Sequence, residues 1–291
     1  MKKYDAVIIG YGPAGISASL YIQRAGLKSL VIGKDFGALT KAESIDNYYG
    51  LEKPLSGVEL AKAGIDQAKA LGAEVVTDEV FGITWNGDYV ISCANGEYSA
   101  TAVIMATGSS RKTVKIPGVK EFEGRGVSYC AVCDAFFYRN KDVAVLGNTQ
   151  YAMHEASELI NIASSVTLLT DGLEIEGDTL DGLKVIDKKL KSVYGDEKFS
   201  GVEFEDGEKK EFAGLFIALG SAGTTDLARK AGANLNGNSI LVNENMETGL
   251  PGLYAAGDCV GGILQVSVAV SEGAKSAMNA IKYIRAQKKG E

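Results

Sequence analysis

Tyr4-Asp5-Ala6-Val7-Ile8-Ile9-Gly10-Tyr11-Gly12-Pro13-Ala14-Gly15 lies near the start of the sequence and decides the fold. An apolar run of strand length meets three glycines at the spacing G-x-G-x-x-G. Helical spacing of apolar residues follows from Pro13 to Gly26, and Leu27 to Ile32 is apolar again. Strand, helix and strand in that order make a βαβ unit. In such a unit the first glycine makes a tight turn, the second lets a pyrophosphate approach the backbone, and the third lets the helix pack closely on the strand. An acid is expected about 20 residues further on to bind a ribose, and it is missing: Gly33 ends the second strand.

Outward from this unit, Gly57 to Leu71 reads as an amphipathic helix and Glu74 to Ser92 as a meander of short strands. Ser99 to Ala106 reads as a strand that runs into Ala106-Thr107-Gly108. A second strand-helix-strand unit begins at Asp142-Val143-Ala144-Val145-Leu146-Gly147, continues as a helix over about residues 152–163, and returns as Ser165 to Leu169. It is a diverged internal repeat of the first. Beyond Gly220 a loop-rich stretch leads to Gly252-Leu253-Tyr254-Ala255-Ala256-Gly257-Asp258 and a last helix from Val266 to about Arg285, which read as the return of the first domain. The expectation is an α/β protein of two Rossmann-like three-layer domains, the second inserted in the first: 1–116 with 214–291, and 117–213 between them.

The chain has 291 residues, 46% of them apolar, enough for two cores, and its 36 glycines against 4 prolines suit many tight strand-to-helix turns. Its net charge of −7 speaks against nucleic acid as a partner, since phosphate neutralisation needs a basic surface. The charge is uneven: residues 117–213 carry 11 basic and 19 acidic side chains, a balance of −8, and the rest of the chain is +1. The apolar run after Met1 is too short for a signal peptide or a membrane span, so a cytoplasmic protein is expected.

Four cysteines in a chain of this length do not form a disulfide scaffold, so a close pair points to redox chemistry or metal. Cys130-Ala131-Val132-Cys133-Asp134 is that pair. Two thiols at this spacing can close a reducible disulfide, and a carboxylate beside them can move the attendant protons. A zinc site would need further ligands, and with no second close pair and His154 as the sole histidine, no metal is expected. Cys93 and Cys259 read as structural.

The run from Cys130 to Val145, Cys-Ala-Val-Cys-Asp-Ala-Phe-Phe-Tyr-Arg-Asn-Lys-Asp-Val-Ala-Val, resembles the low-molecular-weight thioredoxin reductases of the bacterial type, and the likeness extends over nearly the whole chain. The resemblance implies FAD on Gly10, Gly12, Pro13, Ala14 and Gly15, on Ala106, Thr107 and Gly108, and on Gly257 and Asp258. It also implies flavin contacts at Asn47, within Asp46-Asn47-Tyr48-Tyr49-Gly50, and at Gln265 and Val266. Tyr48, Tyr49 and Leu264 depart from the family's tryptophan or phenylalanine, proline and arginine at those places. By the same resemblance Cys133 faces the flavin, Cys130 attacks the thioredoxin disulfide, Asp134 donates the proton, and the protein is a homodimer.

The family's nicotinamide determinants are lost. Where that site has Gly-x-Gly-x-x-Ala, this chain has Gly147-Asn148-Thr149-Gln150-Tyr151-Ala152, so Thr149 and the nearby ring of Tyr151 stand where a pyrophosphate would approach. The second strand of the unit ends at Asp171 in place of phosphate-binding arginines, with Glu174, Glu176 and Asp178 close behind. No NADPH is expected. A one-electron carrier can load a flavin twice, and a plant-type ferredoxin lies ~130 mV below thioredoxin, about 6 kcal/mol for two electrons. The pattern thus resembles the ferredoxin-dependent flavin thioredoxin reductases. Ferredoxins are usually acidic, which directs attention to Arg111, Lys112 and Lys115 as a docking patch. Two alternatives stand beside this reading: a similar reductase using NADH, through Asp171, or another donor; and a non-catalytic flavin sensor.

Overall fold

The computed structural model describes residues 1–109, 114–220 and 222–290, and it divides into two compact units, Met1–Ser110 with Leu227–Glu291 and Arg111–Asp226. No described helix is long and apolar enough to cross a membrane.

The first unit begins β1 (Lys2–Ile9), α1 (Pro13–Arg24), β2 (Ser29–Gly33), α2 (Gly57–Ala70), β3 (Glu74–Thr77), β4 (Val80–Trp85), β5 (Tyr89–Cys93) and β6 (Gly96–Met105). The order in the sheet is β3-β2-β1-β6-β5-β4. A capping box starts α2: Glu59 N–H donates to Ser56 Oγ, and Ser56 N–H donates back to the Glu59 carboxylate at 2.8 Å. The expected meander over 74–92 divides here. β3 runs parallel to β2, Leu30 opposite Glu74 and Gly33 opposite Thr77, because α2 is a crossover and a crossover returns the chain parallel. β4, β5 and the following β6 are the antiparallel neighbours in this stretch.

The second unit holds β7 (Val127–Ser128), α3 (Ala131–Asp134), β8 (Asp142–Leu146), α4 (Gln150–Ile160), β9 (Ser165–Leu169), β10 (Lys184–Ile186), the antiparallel β11 (Leu190–Gly195), β12 (Phe199–Phe204) and β13 (Lys209–Glu211), and β14 (Gly214–Ile217). Its parallel sheet is ordered β10-β9-β8-β14-β7. Both expected domain boundaries shift. Leu215 of β14 pairs with Ala144 of β8 on one side and with Val127 of β7 on the other, so the strand at 214 is interior to this sheet and carries the segment up to Asp226 with it. At the other end Val114 and Ile116 pack on the core of Phe199, Val202, Phe204 and Leu215 and belong to this unit too.

The chain then returns through α5 (Thr224–Lys230), the short β15 (Leu235–Asn236) and β16 (Ser239–Ile240), β17 (Leu253–Ala255) and α6 (Val266–Gly290). β17 joins the first sheet beside β6, Leu253 opposite Val103. α6 packs on α1 through small residues: a Cβ on Gly273 would lie 2.0 Å from the Ala14 carbonyl oxygen. Ala277, Ala280 and Ile284 close the same core over Ile8, Ile22 and Ile104.

Candidate active site

In the first unit the glycines at the end of β1 divide by what surrounds them. Gly10 has φ +106°, and a Cβ there would lie 2.1 Å from the Ala106 carbonyl oxygen. A Cβ on Gly15 would lie 1.9 Å from the Gly10 carbonyl oxygen. A Cβ on Gly12 meets nothing within 4 Å. Gly12 caps α1 without a side-chain acceptor and Pro13 follows at the first helical position, so the first-turn amides face an open cradle of the kind that takes an anion.

Other expected residues gather at the same edge. Ala106 N–H donates to the Ile9 carbonyl at 2.7 Å, which sets Thr107 and Gly108 beside the turn after β1. Ala14, Ala106, Ala256 and Ala269 cluster, and the Cβ of Ala14 would meet a Cβ on Gly257 at 2.8 Å. Gly257 N–H donates to the Glu272 carboxylate at 2.8 Å, and burial raises the Glu272 pKa. Asp258 opens the turn that follows, ahead of α6, which begins at Val266. Asn47 Nδ2 donates to Gln265 Oε1 at 3.2 Å, joining the two segments expected to meet the flavin.

The structure also explains the missing ribose acid. A Cβ on Gly33 would lie 2.3 Å from the Tyr11 ring, so this ring takes the space that a side chain at 33 would need.

Cys259 is buried, its thiol donates to the Met105 carbonyl at 3.3 Å, and burial pushes its pKa up to about 12. Cys93 is likewise pushed up to about 12, by burial first and then by Asp78 and Glu97. Both fit structural roles.

In the second unit Cys130 and Cys133 are joined as a disulfide across the first turn of α3. Cys130 caps the helix, its Sγ accepting from Cys133 N–H at 3.2 Å. Cys130 N–H donates to Ser128 Oγ at 3.1 Å, and that hydroxyl donates to Asp134 Oδ2 at 2.6 Å, so β7 holds the carboxylate against the turn. Ala131 N–H donates to Glu155 Oε2 at 2.8 Å from behind, Glu155 being 1% exposed on α4. After the turn the Tyr138 ring packs edge-on against Phe216 and fills the space over Gly214, fixing the segment to β14. Burial and then Asp134 raise the Tyr138 pKa.

Cys133 is exposed and Cys130 is 3% exposed. Around Cys133 stand Val132, Phe136 at 72% and Phe137 at 67% exposure, with the Arg139 guanidinium 5.7 Å from the Phe136 ring centroid.

The repeated turn of this unit is covered by its own chain. Asn148 Nδ2 donates to the Glu174 carbonyl at 2.8 Å, Gln150 Nε2 to the Glu176 carbonyl at 3.1 Å, and Glu176 N–H to the Asn148 carbonyl at 2.7 Å. Thr149 Oγ1 donates to the Gly220 carbonyl at 2.8 Å. Asp171, at φ +56°, accepts from Leu190 N–H at 2.7 Å. Tyr151 is 1% exposed, a core side chain of α4 rather than the obstruction over the turn that its position in sequence suggested. Of the expected docking patch, Lys115 is exposed, while Arg111 and Lys112 lie outside the described residues.

Sequence reasoning missed Ser128, Glu155 and the backbone bonds by which segment 174–178 covers the turn. Glu155 had a signal, a charged residue on the helical stripe of Tyr151, Ala152, Ala156 and Leu159, all buried on α4. Among the described residues no group of His, Cys, Asp and Glu could hold a metal.

A fold with an anion cradle in one unit and a disulfide turn in the other defines a class, and comparison with known proteins agrees. Residues 4–273 match the family described as pyridine nucleotide-disulphide oxidoreductase. The thioredoxin reductase of Aquifex aeolicus is 37% identical over 99% of this chain and 95% of its own. The crystal structure of the atypical thioredoxin reductase TRi from Desulfovibrio vulgaris Hildenborough superposes with a TM-score of 0.90 at 39% identity, covering 97% of this chain and 98% of that one. A ferredoxin-flavin thioredoxin reductase from Clostridium acetobutylicum gives 0.72 at 30% identity, covering 98% of this chain and 99% of that one. The chain belongs to the pyridine nucleotide-disulphide oxidoreductases, within their thioredoxin reductases.

Proposed function

We propose that this protein is an FAD-dependent thioredoxin reductase supplied by reduced ferredoxin rather than by NADPH or NADH. The observation that carries the choice of donor is the covered turn at 147–150. Its side-chain amides and a backbone carbonyl are spent on the segment Glu174–Asp178, and Asp171 is spent on Leu190 N–H, leaving neither a pyrophosphate cradle nor a ribose acceptor. The likeness to a ferredoxin-flavin enzyme supports the same choice.

The first unit, as FAD-binding domain, would place the pyrophosphate at Gly10, Gly12, Pro13, Ala14 and Gly15, where Gly12 leaves room for it. Ala106, Thr107, Gly108, Gly257 and Asp258 would line the rest of the dinucleotide, and Asn47, Gln265 and Val266 the ring. When bound, the flavin accepts electrons singly and passes them on as a pair.

The second unit then carries the dithiol chemistry. The Cys130–Cys133 disulfide takes up two electrons and two protons, and Asp134, held by Ser128, supplies a proton at the sulfurs. Following the resemblance, Cys133 faces the flavin and Cys130 attacks the thioredoxin disulfide, giving a mixed disulfide and a thioredoxin thiol. Cys133 then attacks Cys130 Sγ, restoring the disulfide and releasing the second thioredoxin thiol. Phe136 and Phe137 offer the apolar contact such a partner needs. A cytoplasmic homodimer completes the reading.

The test is anaerobic mixing of the yellow holoprotein with each donor. Photoreduced ferredoxin should bleach the flavin band and sustain many turnovers of thioredoxin reduction, and NADPH and NADH should not. Rapid bleaching by either nucleotide refutes the donor assignment. A single stoichiometric oxidation without turnover favours a sensor instead.

A further inference from the structure

A carboxylate sits where a redox-active helix turn would ordinarily stabilise a thiolate. A helix N-terminus lowers the pKa of a cysteine placed on it, and stabilising that thiolate stabilises the reduced dithiol, which makes the couple more oxidising. Cys130 occupies this position: it caps α3, and its Sγ already accepts from Cys133 N–H. The next amide, Ala131 N–H, is turned instead into the body of the unit, where Glu155 Oε2 accepts it at 2.8 Å. Glu155 is 1% exposed and Ala131 fully buried, so bulk water screens this interaction little.

We propose that Glu155 is a positioning residue that sets the redox potential of the Cys130–Cys133 couple, holding the α3 N-terminus in place and opposing a thiolate on Cys130. The proposal rests on the reading of this disulfide as the one that reduces thioredoxin. Two effects follow from one side chain. Binding the Ala131 amide removes a donor from the thiolate's surroundings, and the carboxylate's charge repels the thiolate. Both destabilise the reduced form once it ionises, so both make the dithiol a stronger reductant. Asp134 on α3, tied to Ser128, and Tyr138 in the segment that follows are further ionisable groups at the turn.

The experiment equilibrates the holoprotein with glutathione buffers at pH 8, in which the disulfide and two glutathione thiols exchange for the dithiol and one glutathione disulfide. The oxidised fraction is counted after acid quenching and alkylation. Glu155→Gln keeps an acceptor for Ala131 N–H and removes the charge. It is expected to shift the equilibrium toward the dithiol about three- to tenfold, the upper figure being ~30 mV, and to speed alkylation of Cys130 in the reduced protein by a similar factor.

Glu155→Asp shortens the reach but keeps the charge, and is expected to stay within about twofold of the unsubstituted protein. This arm stands if the glutamine variant does not fold. An unchanged equilibrium in a folded Glu155→Gln protein overturns the proposal, and so does an aspartate variant that shifts as far as the glutamine variant was expected to. Failure of the unsubstituted disulfide to exchange with glutathione or thioredoxin would instead refute the underlying redox reading.

Discussion

Substituting alanine at Gly12 and at Gly15 should separate binding from folding. At Gly15 the new methyl would stand 1.9 Å from the Gly10 carbonyl oxygen and 3.2 Å from Ile8 Cγ2, inside the joint between β1 and α1. Ordinary contact begins near 3.4 Å, so the helix or the turn must move, at a cost of about 1–3 kcal/mol for overpacking a joint with no free volume. For a protein of this size that lowers Tm by about 3–10 °C. At Gly12 the methyl meets nothing within 4 Å and φ is −71°, open to any L residue, so the apoprotein should keep its stability within about 0.5 kcal/mol. The methyl instead enters the space above the first-turn amides of α1. Loss of one charge-assisted hydrogen bond to the pyrophosphate weakens FAD binding about ten- to a hundredfold. Thermal unfolding of the apoproteins reads the first effect, and titration of FAD fluorescence reads the second. A Gly12→Ala protein that binds FAD as well as the unsubstituted chain, or a Gly15→Ala protein with unchanged Tm, would refute the reasoning for that position.

Ser128→Ala removes the donor that holds Asp134 and should lower turnover about tenfold or more while costing about 1 kcal/mol of stability, read by steady-state kinetics and urea unfolding. Phe136→Ala with Phe137→Ala should raise KM for thioredoxin about tenfold or more and leave reduction of a small disulfide reagent unchanged. Cys93 and Cys259, each pushed up to about 12, are protonated at pH 8, and thiolate reactivity at these two grows only as pH rises toward that value. Mass spectrometry after iodoacetamide at pH 8 should therefore find no modification of the oxidised protein and two modifications, at Cys130 and Cys133, after reduction.

The glycine turn and the repeat were legible because period and spacing are local. The run Tyr4 to Gly15 fixes a strand, a turn and a helix start without reference to the rest of the chain. The domain boundary at 214 was not, because β14 reads as an apolar strand in either domain, and only its register against Ala144 and Val127 assigns it. β3 was misplaced for a related reason: a short strand does not declare its partner, and the preceding crossover decides it. In the redox turn the sequence showed the cysteines and Asp134 but not which sulfur is exposed, since burial of Cys130 depends on α4 and β7 packing around the turn. The cover over residues 147–150 was half visible. Its acids were plain in the sequence, but the contacts are made by its backbone carbonyls, which no side-chain pattern reveals.

The two repeats also show which glycines packing demands and which only a ligand does. The first position of each turn leaves no space for a side chain: a Cβ on Gly10 would lie 2.1 Å from the Ala106 carbonyl oxygen, and one on Gly147 would lie 2.2 Å from the Ala218 carbonyl oxygen. Both units have glycine there, as the strand-to-helix joint requires whatever is bound. The second position is different. Nothing in the protein crowds Gly12, so no packing constraint accounts for a glycine there, and a dinucleotide seated on the first-turn amides does. At the matching place in the second unit stands Thr149, whose hydroxyl is spent on the Gly220 carbonyl, beneath a segment already bonded to Asn148 and Gln150. One position thus separates a unit that leaves room above its turn from a unit in which that place is filled, and in the second unit the disulfide turn is held by β7 at one end and by α4 behind it.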